Sequence, residues 1–558
     1  MLEGLMQNDF PLTLAHVRRR MGDVLPHGQV LSLTDDGVVR TPFAQVSERV
    51  DRLARALGEL GVSPEDRVGT FAYNNQRHFE LYFAVPCVGA VLHTLNIRLF
   101  AEQLTYIVDH AEDQVIFVDA SLVDTLAPLA EGMTGVRHFV VMGDGDLGAL
   151  PNALDYEELL ERAGPGPFDY PELDERQAAA LCYTSGTTGN PKGVLYSHRS
   201  MSLHTSALLM ADGLGLSSAE RVLAVVPMFH ANAGGLPYGA ALAGADLVLP
   251  DRFLQAEPLA RLIESERPTL MGCVPTIYAD LLRYADENHS DLSSLTNALG
   301  GGSAVPRQLM RDFQDRHGVR IFHAWGMTET SPICTMSRPP VDLDEERYWD
   351  LRARQGRPVP WTELRLVSDD GQVVPHDGQS TGEIQVRGPW VAARYFRDSS
   401  EDEKFDSGWL RTGDIASMDE EGFVQITDRA KDVIKSGGEW ISSVELENAV
   451  MAHPDVVEAA VIAKPDERWS ERPLCCVVLR EGADPDPESL LEHLRPRVAK
   501  WWLPDEFAFI DEVPKTSVGK FDKKVLRGRL DEGALKRVGV ASGQGAGDGQ
   551  AQPSSVSG

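Results

Sequence analysis

Hydrophobic residues in the first third of the chain form two alternating patterns, namely helical spacing and short continuous apolar runs. The first stretch of helical spacing follows Thr41-Pro42, which we interpret as an N-cap and a first-turn proline, and it ends at Gly61. Short apolar runs that predict strands occur at residues 68–72, 115–118 and 139–142, with amphipathic stretches between them. This alternation predicts an α/β fold in which helices cover parallel sheets.

The pattern changes twice further along the chain. Past residue 356, short strands with alternating polarity, such as residues 364–367 and 383–386, predict a β-rich subdomain. Apolar runs at residues 456–462 and 475–479 then predict the strands of a smaller α+β domain. Residues 541–558 are rich in Gly, Ser and Gln and are predicted to be disordered.

A candidate phosphate-binding loop lies between these regions, in the run YTSGTTGNPKG at residues 183–193. Small residues, hydroxyls and glycines allow a backbone to wrap closely around a polyphosphate. The run is not the common P-loop, because Pro191 stands where GxxxxGK[ST] requires its second glycine. Lys192 is the only lysine between Met1 and Glu403, and a compact ammonium is a natural partner of phosphate.

The run resembles the signature loop of the adenylate-forming superfamily, which includes acyl-CoA synthetases, luciferases and the adenylation domains of peptide synthetases. The resemblance extends from about Thr41 to about Arg527 and is greatest to bacterial medium- and long-chain fatty-acyl-CoA synthetases. It implies a large domain over residues 1–428, whose β-rich subdomain covers about 357–428. A hinge over 429–434, a small mobile C-terminal domain over 435–540 and the tail 541–558 complete the expected organisation.

Two further motifs resemble the nucleotide-binding elements of this superfamily. The run FHAWGMTET resembles its YGxTE element, with Trp325 in place of tyrosine, which keeps a stacking face for adenine. The resemblance implies that Glu329, with Thr184, holds Mg²⁺ on the ATP phosphates, and one carboxylate suits a metal that also binds phosphates. The run WLRTGD ends in Asp414, which would accept hydrogen bonds from the ribose hydroxyls. The implied nucleotide-binding residues are Thr184, Ser185, Gly186, Thr187, Thr188, Gly189, Gly302, Ser303, Ala304, Trp325, Gly326, Thr328, Asp414 and Arg429.

The acyl substrate is expected at the carboxyl end of the predicted strand 222–226, where ligands of such sheets bind. His230 follows this strand and matches the acyl-pocket histidine of the superfamily. Related long-chain enzymes commonly carry a bulky aromatic residue shortly after that histidine, whereas this chain has Gly234-Gly235. The missing side chain should widen the acyl tunnel, so a preference for chain length cannot be carried over. The implied acyl-binding residues are His230, Gly234, Gly301 and Val274.

The C-terminal motifs imply a second set of functional residues. Lys520, in the segment PKTSVGK, matches the catalytic lysine of the final motif of the superfamily. The segment from Thr427 to Gly438 matches the hinge, where Asp428 and Arg429 would close over the ribose. The implied hinge and coenzyme A residues are Lys431, Lys435, Gly437, Gly438 and Trp440, and the implied catalytic residues are Lys520, Thr184, Lys192 and Glu329.

Composition limits the function classes. The net charge of −31, from 84 acidic and 53 basic residues, argues against nonspecific binding to nucleic acid or to an anionic membrane. It also suggests, as a hypothesis, adaptation to a high-salt cytoplasm. No apolar run of 18 residues and no basic leader pattern occur, so a cytoplasmic protein without an integral membrane segment is expected. The six cysteines show no ligand-like spacing and are interpreted as reduced core residues.

The resemblance implies an acid–thiol ligase that uses Mg²⁺, ATP and coenzyme A. A carboxylate would attack ATP to give acyl-AMP and pyrophosphate, and the coenzyme A thiol would then give the thioester and AMP. The expected acid is a fatty acid, with a short-chain, methylthiopropionate-like or aromatic acid as the alternative. A luciferase or peptide-synthetase acceptor, and a non-catalytic ATP-binding protein, are weaker alternatives. A homodimer through the large domain is a further hypothesis.

Overall fold

A computed structural model of the protein describes most of the chain. The described residues are 6–7, 9–184, 190–398, 404–429, 432, 434–436, 439–466, 468–480, 482–483, 486–515 and 521–539. They form two compact units, one extending to residue 430 and the other beginning at 431. The sequence predicts a hinge at residues 429–434, where this division falls, but the motion itself stays a prediction.

The first unit contains three sheets in its described residues. The nine-stranded sheet has the order β16-β15-β14-β13-β12-β10-β11-β1-β2, the seven-stranded sheet β7-β6-β5-β3-β4-β8-β9, and the five-stranded sheet follows from residue 363 onward. The strands of the nine-stranded sheet are β1 Gln29–Thr34, β2 Gly37–Pro42, β10 Arg221–Ala224, β11 Asp246–Leu249, β12 Leu270–Cys273, β13 Asn297–Gly300, β14 Arg320–Gly326, β15 Ile333–Met336 and β16 Arg357–Pro358. Those of the seven-stranded sheet are β3 Arg67–Phe71, β4 Val91–Thr94, β5 Asp113–Asp119, β6 His138–Met142, β7 Ala153–Asp155, β8 Ala178–Tyr183 and β9 Gly193–Ser197. Those of the five-stranded sheet are β17 Glu363–Val367, β18 Thr381–Arg387, β19 Phe405–Asp406, β20 Trp409–Met418 and β21 Val424–Arg429.

Both large sheets are parallel in their centres, as the sequence predicts. β3 pairs in parallel with β4 and β5, and β10 pairs in parallel with β11 and β12. The helices of this unit are α1 Leu14–Arg19, α2 Phe43–Glu59, α3 Gln76–Cys87, α4 Ala101–Ala111, α5 Val123–Ala130, α6 Tyr156–Ala163, α7 His198–Leu209, α8 Leu236–Ala243, α9 Ala256–Glu266, α10 Pro275–Asn288, α11 Arg307–His317 and α12 Glu345–Ala353. The carboxyl ends of parallel strands therefore carry the loops from which a site is built.

Residues of α3 and α8 pack together in the largest hydrophobic core, which also contains residues from both large sheets. The Tyr82 and Tyr238 rings lie 5.3 Å apart, and the Tyr238 hydroxyl donates to the Tyr82 carbonyl at 2.8 Å. Both phenols are fully buried, and burial raises the pKa of each well above its usual value. The two helices thus connect the sheets through a packed aromatic pair.

The interpretation of Thr41 as an N-cap is wrong. Thr41 and Pro42 are the last residues of β2, where Thr41 pairs with Val30, and α2 begins at Phe43 with Pro42 in the N-cap position. Pairing with β1 supplies hydrogen bonds to the backbone before the helix, so the threonine side chain is not needed as a cap. The predicted strand at 222–226 is also shorter, because β10 ends at Ala224.

The second unit is a small α+β domain, in agreement with the sequence. In its six-stranded sheet, the central strand β25 pairs with β22, β24 and β26. Its strands are β22 Ile434–Ser436, β23 Glu439–Ile441, β24 Val456–Asp466, β25 Ser470–Leu479, β26 Glu506–Phe509 and β27 Arg537–Gly539, and its helices are α13 Ser443–Met451, α14 Pro487–Leu494 and α15 Lys523–Asp531. Lys523 forms a buried ion pair with Glu447 at 2.7 Å, which joins α15 to α13.

All six cysteines are buried free thiols, so their prediction as core residues is confirmed. None of the helices in the described part of the chain combines the length and apolarity that crossing a membrane requires.

Candidate active site

The predicted phosphate loop connects two antiparallel strands. β8 and β9 pair with Tyr183 opposite Gly193. At the neck of the loop, the Thr184 amide donates to the Lys192 carbonyl at 2.9 Å, and the Lys192 amide donates to the Thr184 hydroxyl at 3.1 Å. A P-loop opens a helix, whereas this loop closes a hairpin. The unusual spacing in the sequence therefore corresponds to a different local structure.

Glu329, the predicted magnesium ligand, lies in a short 3₁₀ turn directly after β14. Its side chain is only 4% exposed. Oε1 accepts a hydrogen bond from the Tyr395 hydroxyl at 2.5 Å and another from the Lys404 ammonium at 3.2 Å. The same ammonium donates to the Tyr395 hydroxyl oxygen at 2.6 Å. Because a buried carboxylate is costly without an opposite charge, Lys404 stabilises Glu329 in this structure.

A short segment of the β-rich subdomain connects Glu329 to the phosphate loop through backbone hydrogen bonds. The Ala392 amide donates to the Glu329 carbonyl at 2.8 Å. Four residues later, the Phe396 amide donates to the Gly193 carbonyl, also at 2.8 Å. Residues that are far apart in sequence are thereby held in a fixed relation.

Side chains strengthen the same connection. The Lys192 ammonium lies 5.0 Å from the centroid of the Tyr395 ring and 3.7 Å from an oxygen of Asp398. The Tyr196 hydroxyl, on β9, donates to the Thr328 carbonyl at 2.6 Å. The structure thus brings Thr184, Lys192, Thr328 and Glu329 into one region of the first unit.

Trp325 and Asp414, which the sequence assigns to the nucleotide, are in direct contact. The indole Nε1 donates to Asp414 Oδ2 at 2.8 Å, and each residue is 9% exposed. Asp414 also stands opposite Arg429 in the pairing of β20 with β21. The residues predicted to bind adenine and ribose therefore meet where β14 of the nine-stranded sheet contacts β20 of the five-stranded sheet. Their spacing in the sequence gives no sign of the contact.

Glycines in this region meet backbone that leaves no room for a side chain. A Cβ on Gly326 would lie 1.6 Å from the Pro332 carbonyl oxygen, so only glycine fits. A Cβ on Gly301 would lie 3.1 Å from the Ala324 oxygen, and Gly302 has a φ of 84°. Residues 301–304 follow β13, and Ser303 is exposed beside β14. The contact of this strand-end loop with a flat ligand stays a prediction.

The predicted acyl-binding histidine lies in a loop that follows β10 and is held from the second sheet. The Asn74 side chain donates to the Val226 carbonyl at 2.9 Å and accepts from the Met228 amide at 2.7 Å. The Tyr82 hydroxyl donates to the Met228 carbonyl at 2.5 Å. His230 follows at once as the cap of a short turn. Asn74, between β3 and α3, and Tyr82, on α3, therefore hold the backbone that leads to His230.

The turn after His230 has an unusual conformation. Ala231, Asn232 and Ala233 have φ values of 39°, 49° and 52°, and Gly234 and Gly235 continue at 65° and 77°. Gly234 is buried, yet a Cβ on it would have no described heavy atom within 4 Å beyond its chain neighbours. Within the described part of the chain, the turn therefore borders open space at Gly234.

Gly235 contrasts with its neighbour. A Cβ on Gly235 would lie 2.9 Å from the His204 ring and from Leu208. His204 is fully buried, and burial lowers the pKa of its imidazole to about 3, so it is neutral. Its Nε2 accepts from the Ile333 amide at 3.3 Å. Gly235 thus permits close packing, whereas Gly234 leaves space.

The two remaining predicted acyl residues follow neighbouring strands. β12 pairs in parallel with β13, with Cys273 opposite Gly300. Val274 caps α10 directly after β12, and Gly301 comes directly after β13. Both residues therefore lie at the same edge of the nine-stranded sheet.

Several predicted residues cannot be placed. Arg429, Lys435 and Trp440 are described only as strand residues of the backbone. Those that lie outside the described residues are Ser185, Gly186, Thr187, Thr188, Gly189, Lys431, Gly437, Gly438, Lys520 and the tail 541–558.

The donor set fits magnesium bound to a nucleotide. Within the described residues, no group of three His, Cys, Asp or Glu side chains could hold a metal ion alone. One buried carboxylate and the Thr184 hydroxyl suit Mg²⁺, which keeps water and takes further oxygens from substrate phosphates. Glu329 could bind such an ion once the Lys404 ammonium moves from Oε1.

Sequence reasoning missed Tyr395 and Lys404, which both contact Glu329. The sequence did contain one signal for Lys404, because Lys404 and Lys192 are the only two lysines in the first 404 residues. Tyr395 carried no comparable signal, since a single tyrosine in a loop has many uses.

Comparisons with known proteins agree with this geometry. The family model described as AMP-binding enzyme matches residues 25–396, and the AMP-binding enzyme C-terminal domain matches residues 445–520. The chain is 46% identical to a 3-methylmercaptopropionyl-CoA ligase of Ruegeria lacuscaerulensis, over 90% of this chain and 94% of the relative. It is 44% identical to a medium-chain-fatty-acid–CoA ligase of Ectopseudomonas oleovorans, over 91% and 95%. The crystal structure of the anthranilate CoA ligase AuaEII in complex with anthranoyl-AMP matches with a TM-score of 0.85 and 27% identity, over 95% of this chain and 100% of that one.

The fold, the site and these relatives define an acid–thiol ligase that forms AMP. The chain belongs to the AMP-binding enzyme family. It is an acyl-CoA synthetase, and the predicted adenylate-forming fold with a large domain, a β-rich subdomain and a small C-terminal domain is confirmed.

Proposed function

We propose that this acyl-CoA synthetase activates medium- and long-chain fatty acids with ATP and Mg²⁺. The observation that carries the choice of acid is the open space at Gly234, which is buried beside the turn that follows His230. Such a space can accept the methylenes of an aliphatic chain, whose burial is favourable. The 44% identity to a medium-chain ligase supports the same class.

In the first half-reaction, the fatty carboxylate attacks the α-phosphorus of ATP, and the bond to pyrophosphate breaks. Thr184 and Lys192, with the loop between them, bind the phosphates. Trp325 stacks on adenine, and Asp414 orients the ribose. Mg²⁺ on Glu329 and Thr184 would supply positive charge to the phosphates. Positioned charges of this kind are the main source of catalysis in phosphoryl-type transfers.

In the second half-reaction, the thiol of coenzyme A attacks the acyl carbonyl and AMP leaves. We assign Lys520 to the first step only, and residues 429–434 to a hinge that turns the small domain between steps. Lys431, Lys435, Gly437, Gly438 and Trp440 would then serve the pantetheine path. Closure would also keep water from the acyl-adenylate.

A second candidate substrate is a short thioether acid, and the 46% identity to a 3-methylmercaptopropionyl-CoA ligase favours it. The same residues would carry the chemistry. The two candidates differ in how much of the space at Gly234 the acid fills. Long chains fill it, whereas a short acid leaves most of it empty.

The test is pyrophosphate release with Mg²⁺-ATP across acids from acetate to C18, with benzoate and methylthiopropionate included. Each acid is assayed with and without coenzyme A. We expect a maximum at medium or long chains, with coenzyme A converting a slow burst into steady turnover. A maximum at methylthiopropionate or benzoate would reject the fatty-acid assignment and keep the mechanism. Glu329→Gln is the matched control, because it removes the metal-binding charge at nearly constant shape.

Two further properties belong to the proposal. A cytoplasmic location is the first of them, and cell fractionation tests it. A homodimer through the large domain follows from the resemblance alone, and sedimentation at several protein concentrations tests it.

A further inference from the structure

The two lysines in the first 404 residues lie at one aromatic ring. Lys192 and Lys404 are the only lysines up to that point in the sequence. Their ammonium groups lie 5.0 Å and 5.3 Å from the centroid of the Tyr395 ring. In this part of the chain, every other basic side chain apart from histidine is arginine, and compact ammonium groups occur only at this ring. Arginine's planar fork cannot reproduce a point charge.

Lys404 is held on a carboxylate that has another expected partner. Its ammonium contacts Glu329 Oε1 at 3.2 Å and the Tyr395 hydroxyl at 2.6 Å. If Mg²⁺ bound Glu329, two cations would share one carboxylate, and their repulsion would be strong in a buried site. The ammonium therefore needs a new anionic partner. Its side chain is 28% exposed and its stem is flexible, so it can reach one.

We propose that Lys404 is a second polyphosphate-binding lysine. Its ammonium leaves Glu329 Oε1 and binds the β- and γ-phosphate oxygens of ATP, near the Lys192 ammonium at the same Tyr395 ring. This inference rests on the proposed function, because it assumes that the phosphates lie between Lys192 and Glu329. The competing explanation is that Lys404 only neutralises Glu329 in the free protein.

The test is calorimetric binding of inorganic pyrophosphate, ATP and AMP to the full-length protein in the presence of Mg²⁺. We compare the wild type with Lys404→Met, Lys404→Arg and Lys536→Met. Lys536 is exposed in the second unit, so its variant controls for the loss of one positive charge. AMP lacks the β- and γ-phosphates and serves as the internal control.

We expect Lys404→Met to weaken pyrophosphate and ATP binding by about tenfold or more, because charged hydrogen bonds are lost. AMP affinity should change less than about twofold on the same scale. Lys404→Arg should recover part of the lost affinity. Because it keeps a positive charge beside Glu329, it can also be tested if Lys404→Met does not fold. Lys536→Met should bind like the wild type.

Equal pyrophosphate affinity in Lys404→Met and the wild type would overturn the inference. If Lys404→Met differed from the wild type only in binding Mg²⁺-ATP more tightly, the competing explanation would replace it. Equal weakening of AMP and pyrophosphate would also overturn it. If the wild type bound neither AMP nor ATP, the proposed function itself would fail. Normal AMP binding with an unchanged pyrophosphate response rejects only the role of Lys404.

Discussion

Replacing Gly234 with tryptophan should shorten the acids that the enzyme accepts. The change fills the space beside the turn, where a Cβ would have no described heavy atom within 4 Å beyond its neighbours. Tryptophan buries roughly 150–250 Å², and one methylene is worth about 0.8 kcal/mol. The indole should therefore displace roughly four or more methylenes of the acyl chain.

Loss of about four buried methylenes corresponds to about 3 kcal/mol, or roughly 200-fold in kcat/KM for long acids. Acids of about four carbons, which would not reach the displaced region, should be affected much less. The assay is kcat/KM for a series of straight-chain acids, from C4 to C16, with saturating ATP and coenzyme A. Melting temperatures of both proteins show whether the variant folds.

Gly234→Ala is the matched control, because it separates backbone strain from volume. The left-handed conformation costs a side chain about 1–2 kcal/mol, and Ala233 already adopts a φ of 52° in the same turn. Alanine should lower stability slightly and leave the chain-length profile unchanged. If Gly234→Trp reduced kcat/KM equally for short and long acids, the space would not belong to the acyl tunnel.

Three further predictions concern other parts of the molecule. Lys520→Ala should abolish adenylate formation and leave thioester formation from supplied acyl-AMP largely intact, whereas equal loss of both would contradict the assignment. Trp325→Phe keeps the stacking face and removes the hydrogen bond to Asp414, so the Kd for AMP should rise about tenfold. Calorimetry should show no change in the Kd for pyrophosphate. An unchanged Kd for AMP would refute this prediction. Burial, with the nearby Asp251 carboxylate, raises the pKa of Asp119 to about 7. The folded protein then holds a proton that the unfolded chain releases, so the free energy of unfolding should fall as the pH rises from 4 to 7. Urea titrations at pH 5 and pH 8 should show a smaller fall for Asp119→Asn than for the wild type. Equal falls would argue against the raised pKa of Asp119.

Local patterns in the sequence predicted the order of strands and helices well. The helix that follows Pro42 and the strands near residues 68, 115 and 139 appear where periodicity placed them. Errors occurred where tertiary pairing decided the outcome. Thr41 pairs with Val30 in a sheet instead of capping a helix, and no local rule contains that partner.

The candidate site likewise combines features that the sequence predicted with contacts that only the tertiary structure shows. The resemblance assigned Trp325 and Glu329, in one motif, and Asp414, in another, to the same nucleotide. The hydrogen bond from Trp325 to Asp414 spans 89 positions and has no sequence signature. The Lys404 contact with Glu329 likewise depends on how the β-rich subdomain folds back, which only the structure reveals.

The backbone hydrogen bonds from Ala392 to Glu329 and from Phe396 to Gly193 have an evolutionary consequence. They connect the residues proposed to bind ATP to one another, and neither bond involves the turn from His230 to Gly235. Mutations in that turn can therefore accumulate while adenylate chemistry continues. An ancestral enzyme could exchange one acid for another through a few changes near Gly234, which makes the turn the natural target for directed evolution toward new carboxylates.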